Sequence, residues 1–155
     1  MNAPAAAGPD NRRAMYRFFE ILRTGSFERL EEVLHEDYVA DTPQSGERVR
    51  GIENQRAIFR NYPGGLDRGG ITADEVHIVG PERRFIMTPT FHVVEVQGSG
   101  DTLTVYSKAR YPDGSDWYVV TLAAFRDGKI ARTTQFFAPS FAPPAWRAQW
   151  VERMD

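Results

Sequence analysis

His92, Tyr118 and Gln135 are the side chains of this sequence whose chemistry could be combined at one site. Imidazole has an unperturbed pKa close to neutrality, which makes His92 the candidate general acid/base. The Tyr118 phenol could polarise a carbonyl or protonate a leaving oxygen, and the Gln135 amide could orient a ligand or a water. Ordinary structural roles exist for each. His92 could be satisfied by Ser107 or a backbone carbonyl, Tyr118 could be a core tyrosine with its hydroxyl at a rim, and Gln135 could bond Ser107.

What would gather these groups is strand register. Three tight-turn signals, Gly98-Ser99-Gly100-Asp101, Pro112-Asp113-Gly114-Ser115 and Asp127-Gly128, separate runs typical of strands. Turns centred on Ser99-Gly100, Asp113-Gly114 and Asp127-Gly128 predict a meander over 85–97, 102–111, 116–126 and 129–138. One face would carry the rows Val96–Leu103–Ala124–Ala131, Val94–Val105–Leu122–Thr133, His92–Ser107–Val120–Gln135 and Thr90–Ala109–Tyr118–Phe137. That face has no formal charge, is apolar at one end and polar at the other. The opposite face, with Glu95, Lys108 and Arg132, is charged and Thr-rich. Its Phe91, Tyr106, Trp117 and Phe136 form a patch that a homodimer could bury.

The elements that must cover the neutral face come first in the chain. Asp10 is a plausible cap for a helix with Met15, Phe18, Phe19 and Leu22 on one side, ended by Thr24-Gly25. Ser26 opens a second helix with Phe27, Leu30, Val33 and Leu34 inward. Tyr38 to Thr42 is a short strand stopped by Pro43, and 51–62 is a third helix with Ile52, Phe59 and Tyr62 apolar. Residues 71–79 read as an edge strand, and Pro89 predicts a bulge or bend. After Pro143-Pro144, residues 145–154 form a short helix with Trp146 and Trp150, either a lid over a pocket or a strap on a partner. The expected class is α+β: three N-terminal helices over one face of a curved antiparallel sheet, plus the short C-terminal helix. Residues 1–9 are a frayed tail, 10–140 the domain and 141–155 the strap.

Composition narrows the function. The 155 residues, 41% apolar and 26% charged, fit one domain. With 19 basic against 21 acidic residues and a net charge of −2, nothing favours nucleic acid or an anionic membrane. No apolar run approaches the roughly 18 residues of a membrane span, and no signal peptide is evident, so a cytoplasmic location is the default. The sequence contains no cysteine. His35, His77 and His92 lie in separate elements without metal-ligand spacing, so neither metal nor cofactor is expected.

The helical hairpin with Thr24-Gly25-Ser26-Phe27, the short strand ending in Pro, the following helix and the meander with Arg126-Asp127-Gly128-Lys129-Ile130 resemble the NTF2-like superfamily and its SnoaL-like members over residues 10 to about 140. The resemblance implies a cone-shaped small-molecule pocket and, often, a homodimer. Ketosteroid isomerase of that superfamily uses a tyrosine, a carboxylate base and a protonated Asp; the matching positions here are Phe18, Thr42 and Tyr118, so that mechanism is not expected. Asp41 is one residue away but should face the other side of a regular strand. The epoxide hydrolases' Asp-Arg-Asp arrangement is absent from the neutral face. Cofactor-free cyclases and dehydratases, working with His, Tyr and amides, are nearer. The resulting expectation is an isomerase, cyclase or dehydratase acting on a hydrophobic oxygenated molecule. His92 and Tyr118 would be catalytic, and Gln135, Ser107, Thr42, Phe18, Phe59, Thr90, Phe137 and Asp41 would contact substrate. A non-catalytic binder of an apolar ligand and a dimerisation module are the alternatives.

Overall fold

The computed structural model describes residues 9–62, 78–79, 83–84, 91–97, 100–110 and 116–154; for 9–10, 78–79, 83–84, 91–97 and 109–110 the description is of the backbone. Helix α1 runs Pro9–Thr24. It starts one residue before the expected Asp10 cap, because proline at the first turn has no N–H to leave unpaired. Ala14, Met15, Phe18, Phe19, Ile21 and Leu22 form its buried stripe. Its end is a Schellman motif: Gly25 adopts φ 68°, Ser26 N–H donates to Ile21 O at 3.2 Å and Gly25 N–H to Leu22 O at 3.3 Å.

The expected second α-helix is instead a six-residue 3-10 turn, Phe27–Glu32. Its Ser26 makes no side-chain cap; the hydroxyl is engaged by Thr24 Oγ1 at 3.0 Å, and so short a segment suits 3-10 geometry. Leu34, expected in that helix, begins strand β1, Leu34–Thr42. Strand β2, Glu47–Arg50, was not anticipated; it folds back on β1 as a hairpin around Pro43–Gly46, with Gly46 at φ 73°. Helix α2 spans Ile52–Arg60. Arg56 fastens it to the 3-10 turn, donating to Phe27 O at 2.9 Å and pairing with Glu31 and Glu53.

Of the expected strand 71–79, only β3, Ile78–Val79, is described; it pairs with β4, Arg83–Arg84. Pro89 and Thr90 lie outside the described residues. Strands β5 (Phe91–Gln97), β6 (Thr102–Arg110), β7 (Asp116–Arg126) and β8 (Lys129–Pro139) form the expected meander. The sheet is six-stranded, ordered β2-β1-β8-β7-β6-β5. It is mixed rather than wholly antiparallel, since β1 pairs with β8 in parallel.

The core lies between this sheet and the helices. Met15, Phe18 and Leu22 of α1 pack with Phe27 and Leu30, and with Tyr38, Ala40, Leu103, Val105, Ala123, Phe125 and Ile130 from the strands. Each large apolar side chain buried there contributes about 1.5–3 kcal/mol. Beyond β8 the chain ends in a 3-10 turn, Ala145–Trp150, whose Trp146 and Trp150 are exposed.

Candidate functional site

Register decides which groups line the inward face, and here the structure departs from the expected rows. Ser107 pairs with Val119 and Lys108 with Tyr118, one residue off the expected alignment. The reason is the connection: Arg110 opposes Asp116, leaving the five residues 111–115 between them, and an odd-numbered loop exchanges the two faces of the next strand. Val119, Thr121 and Ala123 are therefore buried, whereas Leu122 and Tyr118 are exposed.

A second irregularity restores β8. Phe125 pairs with Ile130 but Ala124 with Arg132, so Ala131 is the extra residue of a bulge. The two one-residue shifts cancel. Thr133, Gln135 and Phe137 return to the face of Leu103, Val105 and Ser107 that the sequence reading gave them. In β5, Val96 pairs with Val105, and a bulge between Val93 and Glu95 places Val93 opposite Ser107 and His92 opposite Lys108. Phe91 pairs with Ala109, and Ala109 with Trp117. Trp117 thus leaves the expected outer patch, in which Tyr106 and Phe136 remain and which Tyr118 and Leu122 join; the Phe91 side chain lies outside the described residues.

The inward rows are Ala40–Thr133–Ala123–Leu103, Gln135–Thr121–Val105 and Phe137–Val119–Ser107. Thr42, two residues beyond Ala40, has the inward parity of β1. Polar groups on this face are neutral. The Tyr38 hydroxyl and Thr133 Oγ1 share a buried hydrogen bond of 2.9 Å, and burial pushes the Tyr38 phenol up to about 12. Gln135 Nε2 donates to Thr121 Oγ1 at 3.3 Å, and Ser107 Oγ donates to the Val119 carbonyl at 3.4 Å. Thr121 and Ser107 are buried, while Gln135 and Phe137 are half-buried. Leu103 is buried in the core, and exposure increases toward Gln135 and Phe137. Above it, Phe18 stands 6.3 Å from Phe59, and Phe59 5.5 Å from Phe27, measured between ring centroids.

Several expected site residues are elsewhere. Tyr118, 36% exposed, stacks on Tyr106 with Lys108 Nζ 5.6 Å from its ring. Asp41 has outward parity and is held by Arg48 at 2.5 Å and by Arg132. The Arg48 hydrogen bond, then Arg132, holds its carboxyl down at about 2. It is an occupied ion-pair partner rather than a substrate contact. Tyr118 belongs to the outward rows, away from Gln135; for His92 the structure gives the backbone pairing with Lys108, and its side chain lies outside the described residues. Gln135, Ser107, Phe137, Thr42, Phe18 and Phe59 do share the helix-covered side.

Two inward groups escaped the sequence reading. Thr121 was hidden by the odd loop. Gln55, buried on α2, was signalled by its spacing, three residues after Ile52 and four before Phe59. Among the described residues no three His, Cys, Asp or Glu side chains could hold a metal ion. His35 lies 3.8 Å from Asp127 and 3.9 Å from Asp37, and its Nδ1 accepts the Asp37 backbone N–H at 3.1 Å. Among the described residues no helix is long and apolar enough to cross a membrane.

Helices over one face of a mixed sheet whose described inward polar groups are hydroxyls and an amide define an NTF2-like α+β protein. The chain belongs to the SnoaL-like domain family, whose model matches residues 15–133. An NTF2-like protein of unknown function from Burkholderia xenovorans is 28% identical over 94% of this chain and 96% of its own, with a TM-score of 0.71. A candidate ketosteroid isomerase from Kribbella flavida is 20% identical, covering 97% and 93%, at a TM-score of 0.72. A candidate SnoaL-like polyketide cyclase from Jannaschia is 16% identical, covering 88% and 90%, at 0.56. No curated protein matches the sequence.

Proposed function

We propose that this protein holds a hydrophobic, oxygen-bearing small molecule between its helices and the inward face of the sheet. The observation that carries this reading is the composition of that face. In β1 from Tyr38 onward and in β6, β7 and β8, hydroxyls and one amide sit among apolar side chains, while Asp41, Lys108 and Arg132 belong to the outward rows. Such a wall suits a ligand with an apolar body and a few neutral oxygens. Gln135 is the principal contact, because it is half-buried and its Nε2, which gives one hydrogen to Thr121, keeps a second that can donate to a ligand oxygen. The test is binding of acetylnaphthalene, an aromatic ketone, and its hydrocarbon counterpart ethylnaphthalene, followed by fluorescence or calorimetry. Wild-type protein should bind both and prefer the ketone, and Gln135→Met should weaken that preference about threefold to tenfold. Failure of both probes to bind would remove the reading.

A second reading, cofactor-independent isomerase, cyclase or dehydratase chemistry, draws on the structural relatives described as a candidate ketosteroid isomerase and a candidate polyketide cyclase. The group moving the proton would be His92, which requires its imidazole to reach the ligand from the row of Lys108. Deuterium exchange into an enolisable diketone, followed by NMR with wild type and His92→Ala, tests it. Equal rates end the assignment of His92. A homodimer through the outward patch of Tyr106, Leu122 and Phe136 accompanies either reading.

A further inference from the structure

Helix α2 presents Ile52 and Phe59 to the core, against which Tyr62 just beyond it also packs, and Gln55 falls on that same side. Its residue is 7% exposed, yet among the described residues nothing bonds its side-chain amide. Its backbone N–H is accounted for, donating to Gly51 O at 3.3 Å. The neighbouring buried polar groups behave differently. Arg56 reaches Phe27 O and two carboxylates, Asn11 reaches Gly100 O at 3.2 Å, and Thr133 is bonded to Tyr38. Among the described buried polar residues, Gln55 is the exception.

An amide carries two donors and an acceptor, and leaving it unpaired in a protein interior is costly enough that native folds rarely do so. A leucine or methionine would fill the same volume on the same stripe without that cost. Helix propensity offers no reason for the choice either, since glutamine, leucine and methionine are nearly equal. Among the described residues the chain itself supplies no partner for the amide.

We infer that Gln55 is a ligand-binding residue, a second polar contact on the helical side of the pocket, facing a carbonyl or hydroxyl oxygen of the bound molecule. The inference rests on the proposed small-molecule pocket and adds to it a recognition element on α2 distinct from Gln135 on β8. A ligand held by amides from both walls carries at least two hydrogen-bonding positions, so the preferred class is a ketone or alcohol with a second oxygen across an apolar frame. Both amides can donate or accept, so the pair accepts a ketone and the corresponding alcohol alike.

Gln55→Met separates this role from a structural one by two measurements. In ligand-free protein the substitution should raise the thermal midpoint by a few degrees, since it removes an unmet polar group. A fall in the midpoint would mean that the amide is already satisfied and would overturn the inference. With diacetylnaphthalene, which carries two carbonyls across an apolar frame, and acetylnaphthalene, which carries one, as probes, Gln55→Met should keep acetylnaphthalene binding and lose about fivefold to tenfold of the preference for the diketone. Retained preference would overturn the role of Gln55 while leaving the pocket intact. Wild-type protein that binds neither probe would instead sink the pocket reading, a result distinguishable from both.

Discussion

Tyr118 and Gln135 lie on opposite sides of the sheet: Tyr118 is stacked on Tyr106 at 6.1 Å with ring planes 14° apart, and Gln135 is bonded to buried Thr121. A phenol and an amide that could otherwise act on one substrate are separated by the thickness of a strand. The described polar groups of the inward face, Tyr38, Ser107, Thr121, Thr133 and Gln135, are thereby ones that hydrogen-bond without exchanging protons readily near neutral pH.

Tyr118→Ala should leave binding of acetylnaphthalene within about twofold of wild type and cost about 0.5–1.5 kcal/mol in chemical denaturation, the worth of an aromatic pair. A tenfold loss of binding would return the phenol to the site. On the same face, Leu122→Glu should shift sedimentation toward the monomer, because a buried interface would strand the new charge. An unchanged dimer would locate the interface elsewhere.

Asp41 makes the acid limb of stability a test of the outward face. Its folded carboxyl, at about 2, lies below the ordinary 3.8. Its contribution is therefore fully present above about pH 4 and is lost as pH falls through 2. Asp41→Asn should flatten the pH dependence of unfolding in that window and leave ligand binding unchanged. Unfolding curves with the wild-type slope would show that Arg48 and Arg132 do not stabilise the fold through this carboxylate.

Tyr38 governs the alkaline limb with the opposite sign. Its phenol is raised from 10.0 to about 12 by burial, so its contribution is complete below pH 10 and is lost as pH rises through 12. Of the 6 tyrosines, Tyr38 should be the last to ionise in an ultraviolet titration. Tyr38→Phe should abolish that final step and cost about 1–2 kcal/mol, because the buried Thr133 hydroxyl loses its partner. A final step that persists in the variant would assign it to another phenol.

Much of the architecture was legible because it depends on local signals. The α1 stripe follows helical spacing, Gly25 ends that helix in the left-handed region, and Asp127-Gly128 closes the β7–β8 hairpin with Arg126 opposite Lys129. The site was less legible because it depends on parity, and parity is reversed by a single residue. Pro112-Asp113-Gly114-Ser115 reads as a two-residue turn, yet Arg110 and Asp116 pair across five residues, which moves Tyr118 outward and Thr121 inward. Ala131 gives no sign of being a bulge residue; small and apolar, it resembles any inward position. Gln135 and Phe137 kept their face only because the two shifts compensate. The parallel pairing of β1 with β8 also lacks a local signal, since no turn joins the two strands.

That pairing has a consequence for how the molecule is made. Ala40 meets Thr133, so an early strand waits for almost the last one before its central edge is covered. During synthesis the helices and β1 emerge well ahead of β8, and until then β1 has only the short β2 beside it. Closing so long a segment is entropically demanding, which favours maturation in milliseconds to seconds rather than microseconds. In that interval β1 is an open template for other chains. A chain stopped before Arg132 would keep that edge bare indefinitely, and its expected fate is aggregation rather than a smaller working protein.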